Sequence, residues 1–316
     1  MKALIVILCA GGLLSGPLNG QALLEAVRSV AVDLDQDGQL EVVTVGRIGS
    51  YRPGFENGGV VRVGTLLGGR VEIVADAVSP VVVRDVAIGN YMGDGRPEVF
   101  SVGDGWLRVH RYESGSLKEV GAQSLASGWT DRIAVLNRKT VSIVAITEYE
   151  IQPDSDVGQT KVRAFEARAG KLREIWSLMI PVHVGDLAFV SDGERSRLIL
   201  ETGAGEEGGD VQVYDVMGSS RPRQVWGGRL NGGRRCLSIE ITDPDRQEIL
   251  LRSIDGEAIV YRLGQVGLQQ VRRLALSTGS RVVPISGFSR ASLVGRVWPG
   301  VLYRGASGRL FSLMTF

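Results

Sequence analysis

The sequence predicts an all-β chain folded as a β-propeller of four-stranded antiparallel blades, six on the count below and seven as the alternative. Three observations point there. Apolar runs of strand length, separated by Gly, Asp and Asn turns, follow one another along the chain without a long amphipathic helical stretch. Glycine is abundant, 43 of 316 residues, as many tight turns require. An acidic loop after the first strand of a unit returns with a period of about 50 residues, the length of one blade.

Composition narrows the function. With 44% hydrophobic and 22% charged residues the chain can bury a large core, read here as one repeat domain over 23–316. The 36 basic and 35 acidic residues nearly cancel, so no global field would draw in nucleic acid or an anionic membrane. Residues 1–22 run from Met1-Lys2 through apolar Ala3 to Ala10 and reach Gly20-Gln21-Ala22, the layout of a secretory signal cut after Ala22. An ordinary first strand or a membrane anchor is the competing reading. Only Cys9 and Cys236 occur, and Cys9 would leave with the signal, so no disulfide is expected. Cys236, within an apolar run, reads as a buried core residue.

The first unit opens with Val30-Ala31-Val32 and continues through Glu41–Val45, Val60–Gly64 and Val71–Val74. A second starts at Asp85–Gly89. Weaker copies begin at Asp131–Asn137, Asp186–Val190 and Ile239–Asp245, and an eroded last one at Val282–Ile285. That last unit runs out of chain after its third strand. The expectation is that the segment Gln21–Val27 supplies the missing outer strand and ties the ring shut.

The most informative stretch lies between the first two strands. Asp33, Asp35 and Asp37 recur every second residue, Gly38 permits the sharp turn, and Glu41 returns a fourth carboxylate where the next strand begins. Four carboxylates in so short a loop repel one another unless a cation sits among them. Ca²⁺, which takes six to eight oxygens, suits this spacing, with Gln39 adding its backbone carbonyl. The bland alternative is a solvated Asx turn. The second unit repeats the plan with Asn90, Asp94, Gly95, Arg96 (at the Gln39 position) and Glu98. Met92 falls at the third position, where a thioether is a poor ligand for a hard cation. Asp192-Gly193 and Asp243-Pro244-Asp245 read as plain turns.

Asp33, Asp35, Asp37 and Gly38 resemble the calcium loop of the FG-GAP repeat family, found in integrin α-subunit β-propellers and in many secreted microbial proteins. Glu41 stands where that family usually has Asp. The resemblance implies a secreted or cell-surface propeller, with Ca²⁺ as a structural cofactor and an adhesion or interaction role.

Other motifs fail their context. Gly203-Ala204-Gly205-Glu206-Glu207-Gly208 satisfies G-x-G-x-x-G, yet a strand follows where a helix N-terminus is needed, and two glutamates would repel a phosphate. His110 and His183 lack zinc spacing and read as structural or surface residues. No acid, base and nucleophile set is visible, so a non-enzyme is expected. The connections between strands two and three are more telling. Three are long, at 47–59 with Tyr51, Arg52 and Phe55, at 148–159 with Tyr149, and at 202–210 with Glu206 and Glu207. They emerge opposite the metal loops and form an uneven rim, a plausible ligand face for a protein or glycan. Tolerated surface insertion is the alternative. The function expected from sequence is therefore a secreted or cell-surface calcium-binding interaction module. The alternatives are a polysaccharide-acting enzyme such as a lyase, and an intracellular scaffold.

Overall fold

The structure is a computed structural model that describes residues 6–7, 23–48, 58–67, 70–125, 129–138, 140–150, 158–191, 195–202, 210–216, 221–229, 236–243, 248–253, 257–264, 267–275, 281–284, 301–304 and 310–313. Strand β1 (Val6–Ile7) comes first. The next four strands, β2 (Leu23–Val32), β3 (Glu41–Ile48), β4 (Gly59–Leu67) and β5 (Arg70–Ser79), form one antiparallel sheet in chain order. The second sheet takes β6 (Asp85–Gly89), β7 (Glu98–Gly103), β8 (Trp106–Glu113) and β9 (Ser116–Ser124). The third takes β10 (Trp129–Arg138), β11 (Val141–Glu150), β12 (Gln159–Arg168) and β13 (Lys171–Ile180). The fourth takes β14 (Asp186–Ser191), β15 (Ser196–Glu201), β16 (Asp210–Asp215) and β17 (Arg223–Arg229). The fifth takes β18 (Cys236–Asp243), β19 (Glu248–Ser253), β20 (Glu257–Gly264) and β21 (Gly267–Ala275). In the sixth, β22 (Arg281–Pro284), β23 (Val301–Arg304) and β24 (Leu310–Leu313) are completed by β1.

The first strand of each sheet lies innermost. β2 packs against β6, β6 against β10, β10 against β14, β14 against β18, β18 against β22, and β22 returns to β2. The six described sheets thus follow one another around a ring. The closing strand is Val6–Ile7, antiparallel to β24 through Val6 with Phe311 and Ile7 with Leu310. This corrects the expectation for Gln21–Val27. Leu23–Val32 is one continuous strand whose Val30 and Val32 belong to the core between sheets one and two, so it pairs with β3 instead. A segment committed to the innermost position of one sheet cannot also form the outer edge of another.

Burial falls from the axis outward, which explains the hydrophobic patterns. β7 is buried at every residue, whereas the outer strand β9 has no buried residue at all. Continuous apolar runs therefore mark second strands and alternating ones mark the edges. Four core clusters are resolved, each between consecutive sheets. Val32, Val43 and Val63 meet Val86, Ile88 and Val99 between sheets one and two, and Phe100 and Val102 meet Val144 and Ile146 between two and three. Leu136 and Trp176 meet Phe189 and Leu198 between three and four, and Ile199 and Val213 meet Ile249 and Tyr261 between four and five. In sheets one to five the pairing of strands three and four shifts register once, at Val63/Gly64, Val109/His110, Ala164/Phe165, Val213/Tyr214 and Val260/Tyr261. Such a bulge increases local twist, which lets the outer strand splay from its inner neighbours.

Candidate functional site

This architecture gives the ring two ends with different chemistry. One end carries the links between strands one and two together with the hairpins between strands three and four. The other carries the links between strands two and three and the crossings from sheet to sheet.

At the first end, the loop 33–41 wraps inward on its own carboxylates. The Gly38 amide donates to Asp33 Oδ2 at 3.0 Å, the Asp37 amide to Asp35 Oδ1 at 3.3 Å and the Gln39 amide to Asp37 Oδ1 at 2.7 Å. Gly38 adopts φ +91°, a left-handed conformation that an L side chain would strain. One carboxylate oxygen from each of Asp33, Asp35 and Asp37 lies within 4.8 Å of the others. Glu41 is buried beneath them and accepts the Leu34 amide at 2.8 Å. Burial pushes its pKa up to about 7, against the Leu34 hydrogen bond and helped by the charges of Asp35, Asp33 and Asp37. Burial and the Asp37 charge also raise Asp35. Tyr112, from β8 of the next sheet, is raised by burial and by Asp35, Glu41 and Asp37. The donor set is entirely oxygen, which suits a hard divalent cation.

The second loop sits beside the first, joined by Gln36 Nε2 donating to the Gly95 carbonyl at 3.0 Å. Asn90 is buried and accepts the Gly93 amide at 2.8 Å. Glu98 accepts the Tyr91 amide at 2.6 Å, as Glu41 accepts that of Leu34. Here a guanidinium occupies the middle of the acids. Arg111 binds Glu98 Oε1 through Nε at 2.9 Å and both Asp94 oxygens through Nη2 at 2.8 and 2.7 Å. Met92 is exposed and lies against Gly170, and the Arg96 amide donates to Asp94 Oδ1 at 3.1 Å. The loop is pinned to sheet three by the Tyr91 hydroxyl donating to the Gly170 carbonyl at 2.5 Å.

At the opposite end, Tyr149 is the one ligand-face candidate within the described residues. Tyr51, Arg52, Phe55, Glu206 and Glu207 lie outside them, as do Asp192-Gly193, Pro244-Asp245 and the Gly203–Gly208 motif. Tyr149 stacks on Trp129 at 6.4 Å between ring centroids and meets His183 edge-on at 4.9 Å. The approach depends on Gly158, where a Cβ would stand 2.2 Å from the Tyr149 ring. Trp129 is 50% exposed, an uncommon state for so large an apolar ring. The Arg84 guanidinium sits 5.5 Å from its centroid and binds Asp104 at 2.9 Å and Asp131 at 3.5 Å. His183 Nε2 lies 3.8 Å from Asp131 Oδ2. Although burial alone would raise it, the neighbouring His183 and the charges of Arg84 and Arg132 hold Asp131 below the usual carboxylate range. His183 thus belongs to this surface cluster, while His110 is buried in β8 with burial holding its pKa down.

Behind the aromatic cluster, buried charges brace the centre of the ring. Arg28 of β2 reaches Asp85 at 3.3 Å and Asp186 at 3.1 Å, the residues that open β6 and β14. Burial raises Asp85, reinforced by Asp186 and opposed by Arg28 and Arg132. Sequence reading missed Trp129, Arg28 and Arg111. Nothing in their local patterns marks them, since each acts on residues of another strand or sheet.

No family model matches the chain, and no curated protein matches it. Solved structures do. A chain in the crystal structure of the mitotic checkpoint complex is similar at 13% identity and TM-score 0.53, over 100% of this chain and 99% of that one. A chain of COPII on membranes, outer coat vertex, is similar at 10% identity and TM-score 0.50, over 92% of this chain and 85% of that one. A chain of the COPII coat assembled on membranes gives 10% identity and TM-score 0.50, over 92% and 47%. At these identities the likeness is one of fold, and that fold is a β-propeller. No helix among the described residues is long and apolar enough to cross a membrane.

Proposed function

We propose that the chain is a non-enzymatic interaction scaffold that docks a protein partner on the end carrying Trp129, Tyr149 and His183. The observation that carries this reading is the half-exposed Trp129, held in place by Tyr149 on sheet three and by Arg84, in the link just before β6. Aromatic and Arg side chains fixed in advance lose little conformational freedom on association, which is why they dominate protein contacts. The solved chains of similar fold belong to multi-protein assemblies by their titles, which supports the same reading. Capture of a binding protein by the wild-type chain, compared with Trp129→Ala and with Val271→Ala on an outer strand, tests it. Loss with Trp129→Ala alone is expected, and equal capture by all three chains would overturn the reading.

The opposite end is assigned a structural role within the same proposal. Asp33, Asp35, Asp37, the Gln39 carbonyl and Glu41 would hold one Ca²⁺, as the FG-GAP resemblance implies, and so neutralise the charge beneath the first sheet. The secreted or cell-surface setting that the resemblance implies is part of this reading. An intracellular scaffold is the second reading. It is favoured by the pairing of Val6–Ile7 with β24, because a signal cut after Ala22 would remove that strand.

A further inference from the structure

We propose that Arg111 is the resident counter-ion of the second loop, and that the residue beside the closing glutamate on the third strand decides whether a loop of this kind needs a divalent cation.

The two loops share one frame. In each, the glutamate that opens the second strand turns back to accept an amide seven residues earlier, Leu34 to Glu41 and Tyr91 to Glu98. Both glutamates are buried, at 2% and 0% exposure, so each needs its charge met within the loop. The register across the sheet then places one third-strand residue next to each glutamate. In the first sheet Glu41 faces Thr65. In the second, Val99 faces His110, which brings the following residue, Arg111, beside Glu98. Thr65 and Arg111 therefore hold the same place in two copies of one structure.

Their chemistry differs in the way that matters. Arg111 is a planar donor that binds Glu98 and both oxygens of Asp94 together, the geometry in which a guanidinium stands in for a bound cation. Its charge is permanent and its position is set by packing within the sheet, with the side chain mostly buried. Thr65 carries no charge. Arg111 also accounts for the departures in the second loop. With the charge already met, Asn90 can replace the first aspartate and Met92 the second without leaving carboxylates unopposed. The converse explains why the first loop keeps all its acids. The part of this inference that concerns Thr65 rests on the reading of the first loop as a Ca²⁺ site, whereas the part that concerns Arg111 does not.

The test is thermal melting of the full chain with millimolar Ca²⁺ or with chelator. In an Asp35→Ala background the first loop is silent and Ca²⁺ should have no effect. Adding Arg111→Thr should lower the melting temperature by several degrees, and Ca²⁺ should now restore part of the loss. Arg111→Lys, which keeps a positive charge, should remain insensitive to Ca²⁺. Thr65→Arg in the otherwise wild-type chain should raise the chelated melting temperature and remove the Ca²⁺ response. A wild type without any Ca²⁺ response would overturn the first-loop reading and leave the Arg111 comparison standing. Melting of Arg111→Thr at the parent temperature, or a loss that Ca²⁺ does not touch, would overturn the role of Arg111. If Arg111→Thr does not fold, Thr65→Arg decides, and a full Ca²⁺ response retained there overturns the proposal.

Discussion

Arg28 and Asp186 are 158 residues apart in sequence and meet at 3.1 Å, Nη1 to Oδ2, between sheets one and four. Among the described sheets, which follow one another around the ring, the side chain thus reaches from the first to the fourth. Asp186 is buried and fixed by its own backbone, since Oδ1 accepts the Leu187 amide at 2.9 Å. Asp85 is held alike by the Val86 amide at 2.8 Å and by the Ile133 amide at 3.0 Å. Two carboxylates thus converge on one guanidinium from different sheets.

Arg28→Met should destabilise the chain by roughly 2–4 kcal/mol, less than a fully buried pair would lose because Arg28 is partly exposed. The sign of its pH dependence follows from Asp85, already raised by burial. Without Arg28 the folded state would hold that proton to still higher pH than the unfolded chain. The variant should therefore gain stability relative to wild type as pH falls through the folded pKa toward the unfolded value. Urea denaturation at several pH values measures this, and Asp85→Asn should recover part of the loss in the variant.

Chelated protein should show the opposite of ordinary acid sensitivity near neutrality. Glu41 has its pKa raised to about 7 from a model-peptide value of 4.5, so between those values the folded state holds more protons than the unfolded state. Its contribution makes stability rise as pH falls from about 7 toward about 4.5. With Ca²⁺ present the cation competes with that proton, and stabilisation by Ca²⁺ should weaken below about pH 7. At a free concentration a hundred times its dissociation constant the cation adds about 2.7 kcal/mol, and Asp35→Ala should abolish most of this. Melting curves at pH 5.5 and 8, with and without chelator, separate the two effects.

Gly158→Ala should weaken partner binding although residue 158 is itself buried. A methyl there would collide with the Tyr149 ring and displace it from Trp129 and His183. Trp129→Ala should reduce binding about tenfold or more while shifting stability by less than about 1 kcal/mol, as expected of an exposed anchor. Binding isotherms alongside thermal melts check both variants.

Deleting residues 1–22 should lower the melting temperature, because sheet six then loses β1 and exposes the edge of β24. N-terminal sequencing of the native protein states which form is present. A mature chain beginning near residue 23 would have to close its ring without Val6–Ile7.

What the sequence determined by itself was the set of strands, their grouping into units of four and the oxygen-rich loop at Asp33–Glu41. Those are local properties: apolar periodicity records which strand faces a neighbouring sheet, and carboxylate spacing records a turn. The signal failed where one segment had two local fates, as with residues 23–27, read as a separate closing strand although they continue the strand that ends in Val30–Val32. Only the tertiary structure decided that residues 23–27 pair with β3, while Val6–Ile7 takes the outer edge beside β24. The same holds for the sites. Asp94 and Glu98 stand at ligand spacing in the sequence, and only the register of β7 with β8 shows that Arg111 pairs with both. Trp129 carries no mark in the sequence, and only the fold places it at the start of β10, half in water. Arg28 carries no pattern at all, since its carboxylates arrive from sheets two and four. Charge pairing acts over a few ångströms in space, and the closing of the sheets into a ring brings together residues that the chain itself keeps more than a hundred positions apart.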